Sequence, residues 1–175
     1  CIRDRLGTET AFSVLAEAKK LEAKGKPMIH LGLGQPDFKT PKHIVDAAKK
    51  ALDDGHHGYV LSNGILECRQ AVTRTIKKLY NQDIDPERII IMPGGKPTMS
   101  YAIQCFGEPG VEIVHPTPAF PIYESMINFT GAKPVPYDLT EDKDLKFNPE
   151  KILSLITEKT KLLILINPNN PTGSF

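Results

Sequence analysis

Apolar positions along this chain change their period repeatedly, and each change marks an element. Over residues 8–25, Phe12, Val14, Leu15, Ala18 and Leu21 recur at helical spacing, and Gly25 is placed to end the helix. Pro27 leads into an extended run, 28–31, and a glycine-rich turn, 32–38. Thr40 is a candidate cap with Pro41 in the first helical position, and Ile44, Val45, Ala48 and Leu52 share one face. Residues 65–80 repeat the helical pattern through Leu66, Val72, Ile76 and Leu79, with Arg69, Arg74, Lys77 and Lys78 read as a solvated basic face.

The second half shortens its period. Residues 89–92 and 111–114 read as short strands, 120–129 as a helix closed by Gly131, and 149–157 as a short helix. Residues 133–137 carry Pro134 and Pro136, which marks a strand near a sheet edge. The run 161–166 is unbroken Lys-Leu-Leu-Ile-Leu-Ile, the pattern of a strand buried on both faces as in a parallel sheet. Alternating helix and strand from residue 65 onward, with no internal repeat, predicts a doubly wound α/β domain with parallel strands. The preceding residues read as an arm beside it, giving segments 1–51 and 52–175.

Candidate chemistry sits where strands end. The last apolar run stops at Asn167-Pro168-Asn169-Asn170-Pro171-Thr172-Gly173, and in open α/β sheets ligands bind at that carboxyl edge. By composition alone the same stretch is also an ordinary tight exit loop. Pro93-Gly94-Gly95-Lys96-Pro97-Thr98 describes a strand-to-helix turn whose free N–H groups would suit an anion, with one donor removed by Pro97. It has neither the spacing of a Walker loop nor that of a dinucleotide fingerprint. Gly32 and Gly34 would allow close backbone approach, or simply turn the chain. Tyr59 could serve as packing or as a contact.

Composition narrows the classes. Among 175 residues, 22 lysines and arginines nearly cancel 21 aspartates and glutamates, so charge gives no case for nucleic acid or an anionic membrane. No apolar run approaches the ~20 residues of a membrane-spanning helix, and residues 1–5 lack the apolar core of a secretion signal. The absent initiator methionine fits a piece of a longer chain. Cys1, Cys68 and Cys105 are odd in number and far apart, which suits a reducing, cytoplasmic setting better than a disulfide framework or zinc site. His56 and His57, beside Asp53 and Asp54, read as a solvated helix end.

Five segments in order, LGLGQPDFKTP, HGYVLSNGILECRQAV, PGGKPTM, HPTPAFPIYESM and NPNNPTG, resemble the aspartate-aminotransferase-type (class I/II, fold type I) pyridoxal-phosphate enzymes. The resemblance covers nearly the whole chain but only the amino-terminal part of such an enzyme. It implies a three-layer αβα large domain with a mainly parallel sheet, preceded by an arm or small-domain segment. It implies pyridoxal 5'-phosphate as cofactor, an amino acid and a 2-oxo acid as substrates, and a homodimer. Gly95, Lys96 and Pro97 match the turn that holds the cofactor phosphate, and Phe120 matches the aromatic that stacks on the pyridine ring. Phenylalanine there lacks the polar tip of the tryptophan or tyrosine common in relatives. Asn170 matches the amide at the cofactor's phenolate oxygen and so also touches the substrate side. Gly34 matches a backbone N–H near the substrate carboxylate, and Tyr59 matches a tyrosine reaching the other subunit's cofactor phosphate. The Schiff-base lysine, the pyridine-nitrogen aspartate, a further tyrosine and two arginines are expected beyond Gly173, so residues 1–175 alone are expected to be inactive. A same-fold lyase, or a non-catalytic chain such as a truncated pseudoenzyme or a regulator's cofactor-sensing piece, are the alternatives.

Overall fold

The computed structural model describes residues 10–140 and 144–175. Cys1, Thr8 and the start of the acidic loop expected at 141–144 lie outside them. Two compact units divide the chain: the stretch up to Met28 together with Gly94–Phe175, and Ile29–Pro93.

The larger unit carries α1 (Thr10–Glu22), α4 (Gly95–Phe106), β1 (Glu112–Thr117), α5 (Ile122–Thr130), β2 (Lys133–Asp138), α6 (Pro149–Ser154) and β3 (Thr160–Leu163). The three strands form a sheet in the order β2-β1-β3, with β1 parallel to both neighbours. Strand β1 is buried along Ile113, Val114, His115 and Pro116, as a central strand should be. On one face Ile113 packs with Ile103 of α4 and with Tyr123 and Ile127 of α5. On the other, Val114 packs with Tyr137, Leu139 and Ile152 of α6. Helices on both faces of a parallel sheet are the αβα arrangement expected of the chain. Pro149 opens α6, with Asn148 accepting from the Glu150 and Lys151 N–H groups, and Gly131 closes α5 in the left-handed conformation.

Strand β3 departs from expectation. Its burial alternates, and Leu163 and Leu165 are 36% and 55% exposed while Leu162, Ile164 and Ile166 turn toward the α4–α5 core. The apolar run was expected to be buried on both faces; among the described residues β3 is the edge of the three-stranded sheet and is covered on one. Its ladder also ends early for a local reason. Ile164 N–H donates to Val114 O at 2.8 Å, and the next bond of a parallel ladder would run from residue 116 to the Ile164 carbonyl. Residue 116 is proline and has no N–H. The Tyr137 hydroxyl of β2 donates to that carbonyl instead, at 3.0 Å. On the opposite edge, Lys133 N–H donates to Val111 O and Leu139 N–H to Thr117 O, so odd-numbered residues of β2 face β1. Pro134 and Pro136 therefore sit where the missing N–H points to the free edge, as their place in the sequence predicts.

The smaller unit carries α2 (Lys42–Asp53) and α3 (Leu66–Tyr80). Pro41 itself occupies the cap of α2 and no side chain caps that end, so the expected Thr40 cap is not formed. The expected strand at 89–92 is also absent. Ile91 N–H donates to Asn63 O at 3.1 Å, a loop contact in place of a ladder. Arg69, read above as part of a solvated face, is 2% exposed. Its guanidinium donates to the carbonyls of Gly64 (3.2 Å) and Pro86 (3.0 Å) and to the Glu87 carboxylate (2.8 Å). A planar head with five donors satisfies two backbone carbonyls and a carboxylate together, which is how a buried arginine becomes tolerable. Gly64 completes this turn: its φ is +95°, and a β-carbon there would come within 2.8 Å of the Ile91 side chain.

Candidate active site

The first turn of α4 is built as the sequence implies. Gly94 precedes it at φ +94°, a conformation reserved largely for glycine, and Gly95, Lys96 and Pro97 are its first three residues. The backbone N–H groups of the first helical turn have no intrahelical acceptor, and the helix dipole adds positive potential there. Pro97 withdraws one donor and leaves those of Gly94, Gly95 and Lys96 outside the helix's own bonding. This donor set suits a phosphate monoester. The Lys96 ammonium lies 5.4 Å from the centroid of the Phe120 ring and 5.3 Å from that of Phe12 in α1. These contacts join the start of α4 to the loop that leaves β1.

A third loop meets the same place. Asn169 is 6% exposed, and its Nδ2 donates to the Pro118 carbonyl at 3.3 Å and to Thr172 Oγ1 at 2.8 Å. Its own N–H donates to Ser174 O (2.8 Å), and its carbonyl accepts from Gly173 N–H (2.7 Å). The Ser174 hydroxyl, 2.7 Å from Thr172 Oγ1, donates to Leu145 O at 2.7 Å. The loop following β3 is thus tied to the loop following β1 and to the chain around Leu145. Asn169 Oδ1 is buried and meets no donor among the described residues. An orphaned buried acceptor costs on the order of 1–3 kcal/mol. Asn170 next to it is exposed.

The structure therefore joins Lys96 to Phe120 directly, and links the Asn170 loop to the Phe120 loop through its neighbour. Gly34 and Tyr59 belong to the other unit, where both are exposed, Tyr59 fully so. Sequence reasoning missed Phe12 and Asn169. Nothing in the helical pattern of α1 marks Phe12 as a partner of a residue far along the chain. Asn169 carried a faint signal as the polar residue directly before Asn170 in a loop otherwise made of turn formers.

Beneath these loops, His115 is 4% exposed, and its Nδ1 is 3.1 Å from the Pro116 carbonyl. A carbonyl can only accept, so Nδ1 carries the proton and Nε2 is a bare lone pair, buried without a donor among the described residues. Burial lowers the His115 pKa below its ordinary 6.5, against smaller opposing effects of the Pro116 carbonyl and Glu124. Burial likewise pushes the Tyr137 hydroxyl up to about 12, so it remains a donor.

A family profile for aminotransferase class I and II matches residues 26–175. The chain belongs to that family. Aspartate aminotransferase of Bacillus subtilis is 36% identical to it over 168 residues, covering 96% of this chain and 43% of that protein. The (5-formylfuran-3-yl)methyl phosphate transaminase of Methanocaldococcus jannaschii is 40% identical over 162 residues, covering 93% and 42%. Among solved structures, an aspartate aminotransferase from Thermus thermophilus with maleate superimposes with a TM-score of 0.90 at 30% identity, over 97% of this chain and 44% of that one. An alanine aminotransferase from Pyrococcus furiosus gives 0.89 at 34% identity, over 95% and 43%. The chain thus spans less than half the length of these class I and II aminotransferases and corresponds to an amino-terminal part of one. Enzymes of this class use pyridoxal phosphate and exchange an amino group between amino acids and 2-oxo acids. Among the described residues no helix is long and apolar enough to cross a membrane.

Proposed function

We propose that this chain is the amino-terminal part of a cytoplasmic, homodimeric aminotransferase and supplies one side of its pyridoxal 5'-phosphate site. The observation that carries the reading is the Lys96–Phe120 contact, which sets an anion-competent helix start beside an aromatic ring at the end of a central parallel strand. In this reading the N–H groups of Gly95 and Lys96 hold the phosphate and Pro97 shapes the turn. Phe120 covers the pyridine face, and the Asn170 amide donates to the phenolate oxygen. The Gly34 N–H meets the substrate carboxylate, and Tyr59 serves the phosphate of the second subunit. Full exposure of Tyr59 favours a role outside its own subunit's core. The division into an arm, 1–51, and a cofactor domain, 52–175, belongs to the same proposal.

When bound, the cofactor supplies an electron sink for the carbon bearing the amino group. This chain's residues orient it and set its charge. The phosphate anchor fixes position, the ring of Phe120 excludes water from one face, and the Asn170 donor favours the anionic oxygen. Lys96 is not the residue that would join the cofactor covalently, since it belongs to the phosphate turn.

Asn170→Ala in the full-length protein tests this reading. Losing a hydrogen bond to a charged oxygen should weaken pyridoxal phosphate binding about tenfold or more. It should also raise the pH at which the bound cofactor changes absorbance, because the freed oxygen holds the neighbouring proton more tightly. Unchanged affinity and an unchanged spectral titration would remove Asn170 from the site.

A further inference from the structure

We infer that Asn169 is a positioning residue for the cofactor: its side chain sets the loop that presents Asn170 against the loop that presents Phe120. The inference rests on the proposed function and adds to it a residue that touches neither cofactor nor substrate. Three observations carry it. First, Asn169 is 6% exposed in a loop whose next residue is exposed, so the two asparagines face opposite ways in environment. Second, its Nδ2 serves both loops at once, donating to Pro118 O and to Thr172 Oγ1. Pro118 lies two residues before Phe120, and Thr172 two residues after Asn170.

Third, the amide can be oriented in only one way. The Pro118 carbonyl accepts and cannot donate, so Nδ2 must face it and Oδ1 must turn away. Oδ1 is then left buried with no donor among the described residues. A loop that needed only a filled core position would be better served by an apolar side chain, which leaves no orphan. Retaining an unsatisfied amide is the mark of a group held for the geometry its other end enforces. The Thr172 and Ser174 hydroxyls extend the tie to Leu145 O, so the loop is braced on both sides of Asn170.

The test uses the full-length protein, pyridoxal phosphate affinity and the spectral titration of the bound cofactor. Asn169→Asp keeps the shape but sets a carboxylate against the Pro118 carbonyl. We expect it to weaken cofactor binding about five- to tenfold and to move the spectral titration in the same direction as Asn170→Ala. Asn169→His should recover part of both, because the imidazole Nδ1–H stands the same number of bonds from the backbone as Nδ2 and can restore the bond to Pro118 O but not the second one to Thr172 Oγ1. In the Asn170→Ala background, Asn169→Asp should change affinity less than about twofold, since its effect passes through Asn170. Wild-type behaviour of Asn169→Asp, or full additivity with Asn170→Ala, overturns the inference and leaves the proposed function standing. A wild-type protein that takes up no pyridoxal phosphate overturns both.

Discussion

His115 shows how one side chain can carry the pH response of a core. It lies in the central strand with Nδ1–H committed to Pro116 O and Nε2 bare. Its folded pKa is depressed by burial, so near pH 6 the folded chain binds fewer protons than the unfolded one. Stability is therefore fully present above the unfolded value of 6.5 and is lost as pH falls through the folded pKa. Glu112 acts in a separate window. Hydrogen bonds from Lys133 (2.9 Å) and then Thr157 (2.8 Å) hold its carboxyl below 4.5, so its contribution declines only in stronger acid. Melting temperature measured between about pH 7.5 and 5 should fall for the wild type. His115→Phe should flatten that slope, and coincident profiles for the two proteins would show that His115 does not titrate with unfolding.

At the scale of elements, β3 is held by an improvised bond. Pro116 denies the ladder its next donor, and the Tyr137 hydroxyl reaches the Ile164 carbonyl from β2 across the central strand. Tyr137→Phe keeps the ring in the core with Val114, Leu139 and Ile152 and removes only the hydroxyl. The expected loss is about 0.5–1.5 kcal/mol, the net value of one hydrogen bond. Amide exchange at Ile164 should quicken with it, because the end of β3 then frays. Denaturant titration showing no loss, with unchanged exchange, would mean that water replaces the hydroxyl at no cost.

At the scale of the whole chain, residues 1–175 carry one side of the proposed cofactor site. In the larger unit Lys96 meets Phe120 and the Asn170 loop is tied to the Phe120 loop, while the family resemblance puts the residue that would join the cofactor covalently beyond Gly173. Residues 1–175 produced alone should therefore transaminate no amino acid and load pyridoxal phosphate on no specific lysine. Leu163 and Leu165 on the open face of an edge strand should also make this stretch prone to association. Absorbance after adding pyridoxal phosphate, compared across single lysine substitutions, tests the first point. A stoichiometric signal abolished by one substitution, with turnover, would refute it.

Local chemistry was legible in the sequence. Turn residues located Gly94, Gly131 and the 167–173 loop, and the motif series was enough to expect the family and the fold. The prolines of β2 announced an edge because a missing N–H is a local fact. What the sequence could not decide were properties that depend on which neighbours arrive. The run 161–166 has the composition of a doubly covered strand, yet burial depends on what packs against it, and among the described residues one face has no cover. Arg69 lies among basic residues at helical spacing, and only the convergence of Gly64, Pro86 and Glu87 makes it a core residue. Asn169 and Asn170 are the same residue type, one position apart. Which is buried and which exposed follows from where the Pro118 carbonyl stands, and that carbonyl is 51 residues earlier in the chain.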